Sequence, residues 1–88
     1  MRVSRETVYA AINSERDYQD QLGLNRISAV LKDHTVGEHL VMLNHYIAEA
    51  NTAWTLNPGD LNALEIMRKI AGIAVRCMEI HGPTFRVK

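Results

Sequence analysis

The sequence predicts an all-α protein, a small bundle of three main helices at about 4–22, 35–56 and 60–81, completed by oligomerisation. Apolar residues recur at alternating three- and four-residue spacing through three long stretches, which is the period of a helix face. Each stretch opens on a helix-starting residue and closes on a stop that contains glycine. No run alternates apolar and polar side chains for long enough to make a strand.

The first helix starts at Ser4, whose hydroxyl is a good N-cap, with Glu6 in the favourable first turn and Gly23 as the stop. Val8, Ala11, Ile12 and Leu22 form one stripe, which also passes through Glu15 and close to Tyr18 and Gln19. A carboxylate on an inward stripe is unusual, so Glu15 is the first candidate site residue. Residues 23–34, "GLNRISAVLKDH", fit either a short helical turn or an ordered loop anchored by Ile27, Val30 and Leu31.

The second helix has the clearest start signal. Thr35-Val36-Gly37-Glu38 is a capping box, in which hydroxyl and carboxylate each satisfy the other residue's backbone N–H. Val36, Leu40, Leu43, Ile47, Ala50 and Trp54 then make the expected packing stripe, with His45, Tyr46 and Glu49 on its flanks, until Asn57-Pro58-Gly59 ends the segment.

Asp60 is the expected cap of the third helix, and Gly82-Pro83 its end. This helix carries two apolar stripes: Leu64, Met67, Ala71, Ala74 and Met78, and Ile66, Ile70, Ile73, Cys77 and Ile80. Only Glu65, Arg68, Lys69, Arg76 and Glu79 form a charged strip. A helix apolar on two sides needs neighbours on two sides, and the second is expected to be another subunit.

Composition narrows the function classes. The 88 residues make a single domain, 1–88, and at 47% hydrophobic and 23% charged the chain is of ordinary globular make-up. A domain this small buries little apolar area alone, which also favours self-association. Zero formal net charge argues against a general nucleic-acid binder, which would carry a basic surplus. A single cysteine, Cys77, excludes an intrachain disulfide and suits a reducing compartment. The first residues are charged at once, and no run reaches the roughly 18 apolar residues of a membrane span. A soluble, cytoplasmic protein without membrane contact is expected.

Few chemical motifs stand out. His34, His39, His45 and His81 make no HExxH, one cysteine makes no zinc finger, and Cys77 reads as a small core residue. There is no GxSxG nucleophile elbow and no glycine-rich phosphate loop; Gly72 fits a close helix–helix contact. His45 and Glu49 share a helix face and could reach one ion, although a surface pair is the default. Glu15, Glu49 and Glu65, one from each helix, could converge on Mg²⁺, but neither Glu49 nor Glu65 has an acidic partner at the next turn. Arg68, Lys69 and Arg76, with Arg16, could instead hold a phosphate without metal; the plainer alternative is a solvated stripe.

In order, "ERDYQDQLG" (15–23), "HTVGEHLVMLNHYIAEANTAW" (34–54) and "ALEIMRKIAGIAVRCMEIHG" (63–82) resemble the segments of small phage and bacterial MazG-like proteins. The resemblance covers most of the chain and rests on pattern. It implies an all-α, oligomeric fold and, in active members, Mg²⁺-dependent nucleoside triphosphate pyrophosphohydrolysis through Glu-Glu-x-x-Glu on one helix and Glu-x-x-Asp on the next. Here the first motif falls on His45-Tyr46-Ile47-Ala48-Glu49, where only Glu49 survives. The second falls on Glu65-Ile66-Met67-Arg68, where arginine replaces the aspartate. A cation at that position opposes a bound metal directly.

The expected function is therefore non-catalytic, oligomeric nucleotide binding without a metal or other cofactor. Tyr18, His45, Tyr46, Glu49, Arg68, Lys69 and Arg76 are the candidate ligand contacts. By functional analogy, a phage-encoded protein of this kind would sequester a nucleotide second messenger and so counter host defence, in the host cytoplasm. Two alternatives remain. One is a protein-interaction module inhibiting a host or defence protein. The other is a Mg²⁺-dependent pyrophosphohydrolase using Glu15, Glu49 and Glu65, with Glu38.

Overall fold

A computed structural model of the chain describes residues 2–25, 34–56 and 59–87. It is a three-helix bundle: α1 (Arg5–Asn25), α2 (Val36–Leu56) and α3 (Leu61–His81), with no strand among the described residues. Among the described residues no helix is long and apolar enough to cross a membrane. Most of residues 23–34, and Asn57-Pro58 of the second turn, lie outside the described residues.

The helix starts follow local chemistry. The Thr7 amide donates to the Ser4 hydroxyl at 3.2 Å, capping α1. At α2 the Glu38 amide donates to the Thr35 hydroxyl at 3.0 Å, and the Thr35 amide donates to the Glu38 carboxylate at 2.8 Å. The capping box is thus closed in both directions. The bond from the Thr35 amide is the main reason the Glu38 carboxyl is held below its usual pKa. Asp60 differs from expectation. Its side chain makes no capping bond to α3 and instead accepts from Trp54 Nε1 at 3.4 Å, while its carbonyl takes the Leu64 amide.

The stops divide. Gly82 has φ +91° and donates its amide to the Met78 carbonyl, so it ends α3 as a left-handed-side residue that only glycine adopts easily. Gly23 lies within α1, which continues to Asn25. A glycine in an ordinary helical conformation weakens a helix by about 1 kcal/mol without ending it.

α3 is the central element. Both α1 and α2 pack on it, and among the described residues α1 and α2 do not pack on each other. The stripe Ile66, Ile70, Ile73, Cys77 and Ile80 is half-buried to buried, and Ile73 at 8% exposure is its most enclosed aliphatic. The other apolar stripe stays largely open at Leu64, Met67 and Met78. α1 occupies part of the charged strip, so two helices flank α3 while one apolar side has no neighbour among the described residues.

Packing on the outer helices also departs from the expected stripes. In α1 every described residue before Ile12 is exposed, Val8 and Ala11 included, and the enclosed line is Ile12, Glu15, Arg16, Gln19 and Leu22. In α2 the enclosed line is His39, Met42, Leu43, Tyr46, Ala50 and Ala53. Val36, Leu40, Ile47 and Trp54 are exposed. At 100° per residue the inward face is turned by roughly a fifth of a revolution from the apolar stripe. Tyr46 and His39 point in, and Ile47 points out.

Candidate functional site

The site follows from how α1 is attached. Gly72 of α3 lies under Glu15 and Gln19: a Cβ there would come within 2.7 Å of Glu15 Cγ and 2.8 Å of Gln19 Nε2. The close approach expected of Gly72 is therefore met by α1. Around it runs a continuous polar network. Glu15, only 5% exposed, accepts from Arg68 Nε at 3.0 Å and from Gln19 Nε2 at 3.3 Å. Gln19 Oε1 in turn accepts from Arg16 Nη1 at 3.1 Å. Arg16 grips both oxygens of Glu79 and also donates to Asp20 at 2.9 Å. The bond from Arg16 is the main reason the Glu79 carboxyl is held below its usual pKa, and the same bond raises the Arg16 guanidinium.

Because α1 and α2 diverge across α3, they leave a cleft of about 410 Å³. α1 contributes Glu15, Tyr18, Gln19 and Leu22 to it, α3 contributes Lys69, Ile73 and Arg76, and α2 adds Met42 and Tyr46, with His34 just before it. Lys69 Nζ stands 4.8 Å from the centre of the Tyr46 ring, within range of a cation–π interaction. Neither Lys69 nor Arg76 makes an ion pair among the described residues. The Glu15 charge, by contrast, is already met by Arg68. The cleft therefore carries positive charge on its α3 wall and a tyrosine on each flanking wall.

Four of the seven expected ligand contacts, Tyr18, Tyr46, Lys69 and Arg76, come together here. The other three do not line it. Arg68 is spent on Glu15. His45 and Glu49 pair with each other on the exposed side of α2, Nε2 to Oε1 at 3.6 Å, with the His45 ring edge-on to Tyr46 at 5.0 Å. Glu15, Glu49 and Glu65 do not gather into a common cation site among the described residues. Glu15 is buried beside an arginine, while Glu49 and Glu65 are exposed.

No protein family, curated protein or solved structure matches the chain.

One cluster escapes a motif-based reading. His39, Cys77 and His81 bring one ligand atom each to within 4.8 Å of the others. His39 is 1% exposed, and its Nδ1 lies 2.8 Å from the Thr35 carbonyl. A carbonyl only accepts, so Nδ1 carries the proton and Nε2 is left buried without a partner among the described residues. An unmet buried polar atom costs about 1–3 kcal/mol. The sequence held one signal, the four-residue spacing of Cys77 and His81 on a helix face. His39 arrives from another helix, and no local motif announces it.

Proposed function

We propose that the chain is a non-catalytic, self-associating protein that binds a nucleotide-type ligand in the cleft between the three helices. The cleft's charge carries this reading. Arg68 neutralises Glu15, so Lys69 and Arg76 face the opening as the cations available to an anion, beside the rings of Tyr18 and Tyr46. A nucleotide offers both complements, phosphate oxygens for the two cations and a base to stack on a tyrosine. The cleft volume falls within the range of small-molecule sites. The MazG-like resemblance points the same way, since three of its five metal-carboxylate positions hold His45, Tyr46 and Arg68. Mg²⁺ hydrolysis would require several carboxylates around one ion, whereas Glu15 already has an arginine against it. Sequestration of a nucleotide second messenger is the biological use that fits binding without turnover.

Thermal melting in EDTA tests the ligand. A nucleotide from a panel of linear and cyclic species should raise Tm, and Lys69→Ala and Tyr46→Ala should each remove most of the shift. Unchanged melting across the whole panel would overturn the proposal. Pyrophosphate release that needs Mg²⁺ and disappears in Glu15→Gln would restore the hydrolase.

Self-association rests on surface area. The chain exposes 7350 Å², whereas a globular monomer of its 9.9 kDa exposes about 5200 Å². On α3 the open stripe Leu64, Met67, Ala71, Ala74 and Met78 lies opposite the cleft residues Lys69 and Arg76. On α2, Val36, Leu40, Ile47 and Trp54 lie on the edge away from Met42 and Tyr46. The surplus exceeds the roughly 800 Å² per partner of a standard interface. The same surface favours a second reading, an interaction module for a different protein. Native mass spectrometry separates them: like copies alone support self-association, and a one-to-one foreign partner displacing them supports the module.

A further inference from the structure

His39, Cys77 and His81 are independent of the ligand cleft's cations and tyrosines, and their arrangement asks for an occupant. His39 carries, in the first turn of α2, a buried Nε2 unpartnered among the described residues, and Cys77 and His81 of α3 stand beside it. Cys77 is a free thiol. The ring of each histidine is anchored at its other end by a backbone carbonyl. His39 Nδ1–H donates to Thr35, and His81 Nε2–H donates to His34 at 2.8 Å. Metal-ligating histidines characteristically donate their second ring N–H in this way, which fixes ring orientation and leaves the other nitrogen's lone pair for the ion.

We propose that these three residues form a site for a divalent cation of the zinc class, bound through His39 Nε2, the Cys77 thiolate and the His81 nitrogen not committed to His34. Two imidazoles and one thiolate select zinc-like ions over Mg²⁺ or Ca²⁺, which take oxygen ligands. Zinc bonds of about 2.0–2.3 Å place tetrahedral ligands roughly 3.3–3.7 Å apart. With one donor atom of each residue already within 4.8 Å of the others, tetrahedral spacing needs a shift of about 1–1.5 Å, a movement available to Cys77 and His81 through their side-chain torsions. Binding replaces the S–H bond of Cys77 with a sulfur–metal bond and releases the proton to solvent. His34, whose ring stands edge-on to His39 with centres 5.9 Å apart and which also lines the cleft, is the neighbouring candidate for a fourth ligand. Either His34 or water completes the shell.

Cobalt substitution tests the site directly. Titrating Co²⁺ into the reduced, chelator-stripped chain should produce thiolate-to-cobalt charge transfer in the near ultraviolet and the visible bands of a four-coordinate ion. These should saturate at one ion per chain and be displaced by Zn²⁺, which should also raise Tm. Cys77→Ser should remove the charge-transfer band and weaken Zn²⁺ binding by more than the roughly 10–100-fold that loss of an outer-shell partner costs. His81→Gln, a change at an exposed position, should weaken it without unfolding the chain. His45→Gln should leave it unaltered, which excludes the His45–Glu49 pair as the source. No saturating charge-transfer band in the wild type, or full affinity retained in Cys77→Ser, would overturn the assignment and leave a packed cluster without an ion.

Discussion

Gly72 shows how much one missing methyl group controls. In an ordinary helix interior, alanine would gain about 1 kcal/mol over glycine. Here its Cβ would strike Glu15 Cγ at 2.7 Å, and Glu15 is held on one side by Arg68 and on the other by Gln19. Overpacking costs about 1–3 kcal/mol, and displacing Glu15 also loosens a nearly buried carboxylate. Gly72→Ala should therefore lower stability by about 1–2 kcal/mol net in urea unfolding, despite its better propensity. An unchanged or raised midpoint would mean that α1 approaches α3 less closely. Glu79 leaves its signature in acid. Arg16 depresses its folded pKa, so this stabilisation is complete above the ordinary carboxylate range and is lost as pH falls through the folded value. Glu79→Gln should flatten the acid limb of a Tm-versus-pH curve below about pH 4.3 while changing its slope little near neutrality. With Glu79 half exposed, solvent keeps the effect small.

At the scale of elements, the backbone-level signals were legible and the facing of the helices was not. Ser4, the capping box and Gly82 act through bonds within a few residues, so the sequence displays them directly. Thr35→Ala should cost about 1 kcal/mol. If the proposed metal site is correct, it should also weaken Co²⁺ binding, because fraying this turn frees the carbonyl that orients His39. Circular dichroism melting and cobalt titration of the same variant check both. Which way α2 turns depends on what α3 offers it. There the choice went to His39 and Tyr46 over Ile47 and Trp54, against a hydrophobicity count. Likewise, Glu15 on an inward stripe was visible, but its partner was 53 residues away, and periodicity cannot say whether a buried acid awaits a metal or an arginine. Half the proposed ligand cleft was legible as a cationic strip with nearby tyrosines. The separation of Arg68 from Lys69 and Arg76 required the fold.

For the whole molecule, the decisive feature is a total surface larger than a compact chain of this size exposes, with large apolar side chains such as Leu64, Met67 and Met78 on it. The radius of gyration, 14.4 Å, exceeds the roughly 12 Å of a compact 88-residue domain. If copies of the chain cover the open α3 stripe, the double variant Met67→Glu/Met78→Glu should sediment as a smaller species than the wild type. It should retain the nucleotide-induced melting shift, since neither residue lines the cleft. An unaltered sedimentation coefficient would move the contact elsewhere.

The attachment of α1 has one more consequence. α2 meets α3 with a line that includes Met42, Leu43, Ala50 and Ala53 beside His39 and Tyr46, but α1 leans on it through a seam of carboxylates, guanidinium groups and one amide, with only Ile12 and Leu22 half-buried beside them among the described residues. A seam of that kind can trade its internal bonds for water with little loss of apolar burial. α1 is then the part of the bundle most able to swing away as a unit while α2 and α3 stay docked, on the low-stability end of the local-opening scale. Since α1 also forms one wall of the cleft, it would serve as a door on a polar latch.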